Sequence, residues 1–224
     1  KDSMNNKTKI AIAGATGFTG LELIYLLTKH KKVQINNLIS TSNVGKNISI
    51  FDKRLKNKKF PKLQSFDSVV WENVDVLFLA LPNGEAQKII KKLYLYKHLK
   101  FIDLSADFRL TNPEYFKKWY HLNHKAKNLI KDSIYSIPEV ESKKIQKFRI
   151  IANPGCYPTS IQIPLIPLIK KKLINVNNIV IDSMSGFSGA GKNYKKKFNH
   201  KNFYQSIHAY GINKHRHQIE IDQQ

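Results

Sequence analysis

A chain of 224 residues, 42% hydrophobic and 11% aromatic, has enough apolar material for a packed core and lacks the composition of a disordered or fibrous protein. Its formal charge of +22 is carried mostly by lysine scattered over nearly every polar segment, with no basic stripe interleaved with aromatics, so no nucleic-acid surface is expected and the charge reads as compositional drift. No apolar run approaches the roughly 20 residues of a membrane span, Lys1–Lys9 carries no signal core, and a lone cysteine excludes an internal disulfide and a cysteine zinc cluster, so the expectation is a cytoplasmic globular protein with no membrane partner and no bound metal.

The first half alternates short β-branched runs with helical periods, the pattern of βαβ units around a parallel sheet. Lys9–Ala13 is the first predicted strand, Leu21–Thr28 the helix after it and Val33–Ser40 the second strand. Val74–Leu81 is nearly all apolar, as a strand covered on both faces requires, and leads to a helical period over Glu85–Tyr96 and a strand at Lys100–Leu104. Thr41–Asp67 and Asn112–Lys144 show no clear period and read as excursions from the sheet. Phe148–Ala152 is a strand ending in Asn-Pro-Gly, followed by a helix over Pro158–Lys172 and a strand over Asn178–Ser183. The expected class is α/β: a Rossmann-type dinucleotide-binding domain with a mostly parallel sheet over residues 1–155, then a second part over residues 156–224.

The first strand runs directly into Gly14-Ala15-Thr16-Gly17-Phe18-Thr19-Gly20 and then a helix. Backbone N–H groups and the helix dipole are thereby set against a pyrophosphate. The spacing is GxxGxxG and not GxGxxG, so the bare pattern is weak; its place after an N-terminal buried strand strengthens it. Where an NAD-specific site carries an acidic residue, the chain has Ser40, Thr41 and Ser42, no acid from Val33 to Phe51, and Lys46 close by. Hydroxyls and a cation suit a 2′-phosphate, which favours NADP.

Cys156 lies in Asn153-Pro154-Gly155-Cys156-Tyr157-Pro158-Thr159, between a strand end and a helix that Pro158 is suited to start. A helix N-terminus stabilises a thiolate over the thiol and makes it a nucleophile. Burial as a structural residue is the commoner fate of a lone cysteine, but the Gly and Pro neighbours build a turn and not a core strand. Acyl chemistry at a thiolate needs an acid/base, and the densest histidine group is His215-Arg216-His217. In isolation that group reads as a polar loop ahead of an alternating strand over Gln218–Ile221; a cysteine, a cofactor loop and an anion-binding arginine in the same chain shift the reading toward catalysis. Arg109 has no local feature that lifts it above a surface arginine.

Seven segments, namely Gly14–Gly20, Leu81–Gly84, Asp103–Arg109, Tyr135–Glu139, Asn153–Thr159, Ser185–Gly191 and His215–Ile221, resemble in content and order those of the N-acetyl-γ-glutamyl-phosphate reductases, relatives of aspartate-semialdehyde dehydrogenase. The resemblance runs from about Lys9 to Ile221. It implies an oxidoreductase of arginine biosynthesis: Cys156 attacks the acyl phosphate, phosphate leaves, NADPH reduces the thioester, and the thiohemiacetal collapses to the semialdehyde. By the same resemblance His217 is the acid/base with His215 in reserve. Asn153, Arg109, His215 and Arg216 face the small-molecule substrate, the two arginines as anchors for phosphate or carboxylate. Pro82, Ser188 and Gly189 join the glycine loop, Ser40 and Ser42 around the cofactor. A homo-oligomer, dimer or tetramer, is implied as well.

Ser136 stands where the family has glycine, Lys192 where it has arginine and Ile219 where it has proline. Family members continue well past the position of His217, so the second part is expected to be an incomplete α+β catalytic and dimerisation domain, and the chain a truncated form. Three alternatives stay open: a reductase of carrier-protein-linked glutamyl or aminoadipyl phosphate in lysine biosynthesis, a remnant that only binds nucleotide, and, against the reading of the charge above, a basic nucleic-acid-binding protein built on a nucleotide-binding fold, which would bind in a salt-sensitive way.

Overall fold

The computed structural model describes residues 7–192 and 205–224; positions 1–6 of the polar N-terminal stretch lie outside them. Strand β1 (Thr8–Ala13) is followed by α1 (Phe18–Leu27) and β2 (Val33–Ile39). After an excursion of short 3-10 turns come β3 (Leu63–Gln64), β4 (Val76–Leu79), α2 (Ala86–Leu93) and β5 (Lys100–Asp103). Then follow α3 (Pro113–Tyr120), β6 (Ser133–Tyr135), α4 (Pro138–Ile145), β7 (Ile150–Ala152), α5 (Cys156–Lys170) and α6 (Gln218–Gln223). The seven strands form one sheet in the order β3-β2-β1-β4-β5-β7-β6, and every neighbouring pair is parallel.

The alternation of side chains along the central strands divides the core between the two faces of the sheet. Ile10 and Ile12 of β1 pack with Ile24, Leu38 and Leu63, while Ala11 and Ala13 join Leu77, Leu79, Ile90 and Phe101. Each buried leucine or isoleucine contributes about 1.5–3 kcal/mol, and a truncation such as Leu77→Ala is expected to cost about 2–5 kcal/mol. Helix α3 has explicit ends: Asn112 accepts from the Glu114 N–H with proline in the first turn, and His121 closes the helix in the left-handed region at φ 56.

The parallel sheet matches the Rossmann-type expectation; the excursions are more structured than the sequence suggests. Strands β3 and β6 are two and three residues long, and each exists through pairing with one neighbour. The strand expected over residues 178–183 is not formed. A strand needs an adjacent backbone to satisfy its N–H and C=O groups; this segment lies exposed, with Val180 at 93% of its full accessibility. Beyond β7 the described elements are α5, a 3-10 turn at Phe187–Ala190 and α6.

The parallel sheet sends the carboxyl ends of β1, β4, β5 and β7 to one edge, where open α/β sheets bind ligands. The glycine loop leaves β1 and Cys156 follows β7, three strand spacings apart, or about 14 Å.

Candidate active site

Gly14 has φ +76, and a Cβ there would lie 2.1 Å from the Ala80 carbonyl oxygen, so only glycine lets the chain leave β1 past the end of β4. A Cβ on Gly20 would lie 2.3 Å from the Gly14 oxygen, which fixes the loop against the start of α1. Gly17 is the N-cap, without a side-chain cap and without an acidic residue in the first turn. The first N–H groups of α1 therefore have no intrahelical acceptor and lie at the positive end of its dipole. Thr16, Gly17, Phe18, Thr19 and Gly20 thus form a cradle that fits a pyrophosphate.

The Ala15 N–H donates to the Ile39 carbonyl, which sets the end of β2 beside this loop. Ser40 is buried there. The exposed residues beyond it are linked: Lys46 Nζ donates to Asn43 Oδ1 at 3.1 Å and Asn43 Nδ2 to Ser42 Oγ at 3.1 Å. Pro82 is exposed in the turn after β4, and that turn is held by Asp107, which accepts from the Gly84 and Gln87 N–H groups at 2.6 and 3.0 Å. Ser188 and Gly189 meet Phe18, Leu21 and Phe51 around a cleft of about 520 Å³, a size common for small-molecule sites. Lys192 donates to the Thr16 carbonyl, with its ammonium 5.6 Å from the Phe18 ring and 5.7 Å from the Phe51 ring.

Cys156 is the first residue of α5 and is exposed. Its neighbour Gly155 is an extended N-cap at φ −64, ψ 163. The His217 ring lies flat against that glycine: a Cβ on Gly155 would sit 2.6 Å from Nε2 and 2.9 Å from Cδ2 and Cε1. His217 Nε2 is also 4.0 Å from Glu220 Oε1, while its Nδ1 is buried without a hydrogen-bond partner. Burial pushes the His217 imidazole down to about 4, with Arg109, His215 and Arg216 adding to the fall and Glu220 opposing it. The ring is therefore neutral near pH 7 and able to accept a proton.

His215 packs between the rings of Tyr157 and Tyr210, both with centroids at 5.3 Å. Its Nδ1 accepts from the His217 backbone N–H at 3.2 Å, so it shapes the turn that presents His217. Arg216 is exposed. Asn153 uses its side-chain amide on the Pro154 carbonyl at 3.0 Å.

Arg109 is not the surface residue that its sequence context suggests. It is 7% exposed, and its guanidinium points inward: Nε donates to the Asn153 carbonyl at 2.8 Å, Nη2 to the Leu104 carbonyl at 3.0 Å and Nη1 to Glu220 Oε1 at 2.8 Å. Glu220 has no solvent exposure and also accepts from Tyr120 Oη at 3.2 Å and the Gly155 N–H at 3.0 Å. The Tyr135 hydroxyl is shared between Gln162 Oε1 at 3.1 Å and Glu220 Oε2 at 3.5 Å. Glu220, Tyr120, Tyr135 and Gln162 escape the sequence reading. The available signal was the three-residue spacing of His217 and Glu220, which puts them on one helix face once the segment is helical.

The arrangement joins a thiol at a helix start, a neutral imidazole beside it, and a phosphate cradle at the same sheet edge. Among the described residues no group of three or more His, Cys, Asp or Glu is placed to hold a metal, and no helix is long and apolar enough to cross a membrane.

Comparison with known proteins gives concordant results. The chain is 42% identical over 217 residues to a probable chloroplastic N-acetyl-gamma-glutamyl-phosphate reductase of Oryza sativa, covering 97% of this chain and 52% of the rice protein. It is 44% identical over 222 residues to N-acetyl-gamma-glutamyl-phosphate reductase of Brachyspira hyodysenteriae, covering 96% and 62%. Among solved structures, aspartate semialdehyde dehydrogenase II of Vibrio cholerae shares the fold with a TM-score of 0.65 at 21% identity, over 89% of this chain and 52% of that one. The chain thus spans between about half and two thirds of the length of these curated relatives. Residues 9–148 match the NAD binding domain of the semialdehyde dehydrogenases and residues 156–224 their dimerisation domain, and the chain belongs to the semialdehyde dehydrogenase family.

Proposed function

We propose that the chain carries the active site of an NADPH-dependent reductase that converts N-acetyl-γ-glutamyl phosphate to the semialdehyde and inorganic phosphate. The observation that carries this reading is the contact of the His217 ring with Gly155, directly before Cys156 at the start of α5. The thiolate of Cys156 attacks the acyl carbon, the bond to the phosphate oxygen breaks, and phosphate departs from a thioester. His217 takes the thiol proton at the outset, gives it to the oxygen of the reduced adduct, and takes it back as the C–S bond breaks and the aldehyde leaves. The dinucleotide, when bound, supplies the hydride.

Thr16 to Gly20 hold its pyrophosphate, and Ser42 with Lys46 favours a 2′-phosphate. Ser188 and Gly189 close on the same side, and Arg216, exposed beside the histidines, anchors an anionic substrate group. The family's dimerisation domain over residues 156–224 supports a homo-oligomer, and a cytoplasmic location belongs to the same reading.

The test is turnover of the acyl phosphate with NADPH. Cys156→Ser is expected to abolish it with NADPH binding intact, and His217→Asn to slow it by roughly 10²–10⁴-fold, with His215→Asn costing less. Turnover that survives Cys156→Ser would overturn the reading; a larger loss from His215→Asn than from His217→Asn would move the acid/base role to His215.

A further inference from the structure

Helix α6 has six residues, too short to hold its place by its own backbone bonds. It buries one side chain fully, Glu220, and that side chain is charged. The carboxylate of Glu220 receives Arg109 from the loop after β5, Tyr120 from the end of α3 and the N–H of Gly155 at the head of α5. Gln223, one turn on, accepts from the Thr111 N–H at 3.0 Å and donates to the Arg109 carbonyl at 3.1 Å. Polar contacts thus dock the helix, and His217 is its N-cap.

We infer that Arg109 and Glu220 form a positioning pair that seats His217 against Gly155 and locks the Cys156 turn, so that Arg109 acts on the site through the protein. Arg109 ties together three separate pieces: through Nε it holds the carbonyl of Asn153, three residues before the thiol, through Nη2 the carbonyl of Leu104, and through Nη1 the carboxylate of Glu220. Glu220 in turn spans from Arg109 to the Gly155 N–H with its two oxygens. The inference rests on the reading above for the role of His217, and the geometry of the pair is independent of it. Two backbone carbonyls and a buried carboxylate take three of the five guanidinium N–H donors and fix the direction of the fork.

The test follows the position of His217 through its titration, measured by NMR on the full 224-residue chain. The groups facing the ring are Glu220, Arg109, His215 and Arg216 and the Tyr157 ring. In Glu220→Gln and in Arg109→Lys, His217 is expected to leave its seat, and its midpoint to rise from about 4 toward the about 6.5 of an exposed histidine. Loss of the Glu220 charge with the ring still seated would instead lower the midpoint, so the direction separates release from a change of charge. Cys156 alkylation by iodoacetamide should change by the same factor in Glu220→Gln, in Arg109→Lys and in the double variant, as expected of two residues acting as one unit.

A folded Glu220→Gln whose His217 midpoint stays or falls overturns the proposal. So does an Arg109→Lys that weakens binding of inorganic phosphate and leaves His217 where it was, the behaviour of a substrate anchor. If Glu220→Gln fails to fold, Tyr120→Phe and Tyr135→Phe, which leave the charges in place, decide by the same measurement: an upward movement supports the pair and no movement in either overturns it. None of these readouts uses turnover, so failure of the reductase reading and failure of the positioning pair remain distinguishable.

Discussion

Gly155→Ala is the smallest change that strikes the junction of thiol and imidazole. At φ −64 and ψ 163 alanine meets no backbone strain, so the main consequence arises from the contact of the added methyl. That methyl would sit 2.6 Å from His217 Nε2, and the ring must retreat by about 0.8 Å to reach an ordinary contact of about 3.4 Å. Overpacking of this kind costs about 1–3 kcal/mol, and a displacement near 1 Å in a catalytic group lowers turnover by about 10²-fold. Replacing a glycine N-cap by alanine adds a loss of about 0.5–1 kcal/mol.

The assay is a double-mutant cycle: urea unfolding and turnover of the parent, Gly155→Ala, His217→Ala and the pair. The cap loss is common to both backgrounds, so the cycle isolates the contact, with an expected coupling of about 1–2 kcal/mol. Equal effects of Gly155→Ala in the presence and absence of the His217 ring would refute the contact.

Lys46→Glu is expected to weaken NADPH binding by about tenfold, or about 1.4 kcal/mol, and to leave NADH binding unchanged; equal losses for both cofactors, read by fluorescence titration, would remove Lys46 and the linked Ser42 from the 2′-phosphate site. Asp103 gives a pH signature: burial, with Asp107 adding, pushes its carboxyl up from 3.8 to about 7. The folded state then binds the proton more tightly than the unfolded chain, and stability present below pH 3.8 is lost as the pH rises to about 7. Asp103→Asn keeps an acceptor for the Ser105 N–H, 2.9 Å from Oδ1 in the parent, and cannot ionise. It should gain on the parent between pH 5 and pH 8 by on the order of a few kcal/mol, and a difference independent of pH in urea unfolding would contradict the assignment.

Those parts of the fold with a dense local signal are legible in the sequence. The apolar runs of β1, β2, β4 and β5 and the glycine turn state their roles within ten residues. β3 and β6 are invisible because their two or three residues are strands only by pairing with β2 and β7. The Ile179-Val180-Ile181 run has strand composition without a partner among the described residues, and composition alone does not make a ladder. The glycine loop and Cys156 are local motifs and are found as such. The docking of α6 is not, because Gln218-Ile219-Glu220-Ile221 alternates like a strand and that period separates His217 from Glu220. The burial of Arg109 is hidden for the same reason: its partners Asn153 and Glu220 lie 44 and 111 residues away.

The most direct measurement of the central claim is the mass of the peptide containing Cys156 after the chain meets N-acetyl-γ-glutamyl phosphate without cofactor. The account predicts one acyl group on Cys156 with release of one equivalent of phosphate, and recovery of the free thiol when NADPH is added. Phosphate release with Cys156 unmodified, or an acyl group on another residue, would contradict it.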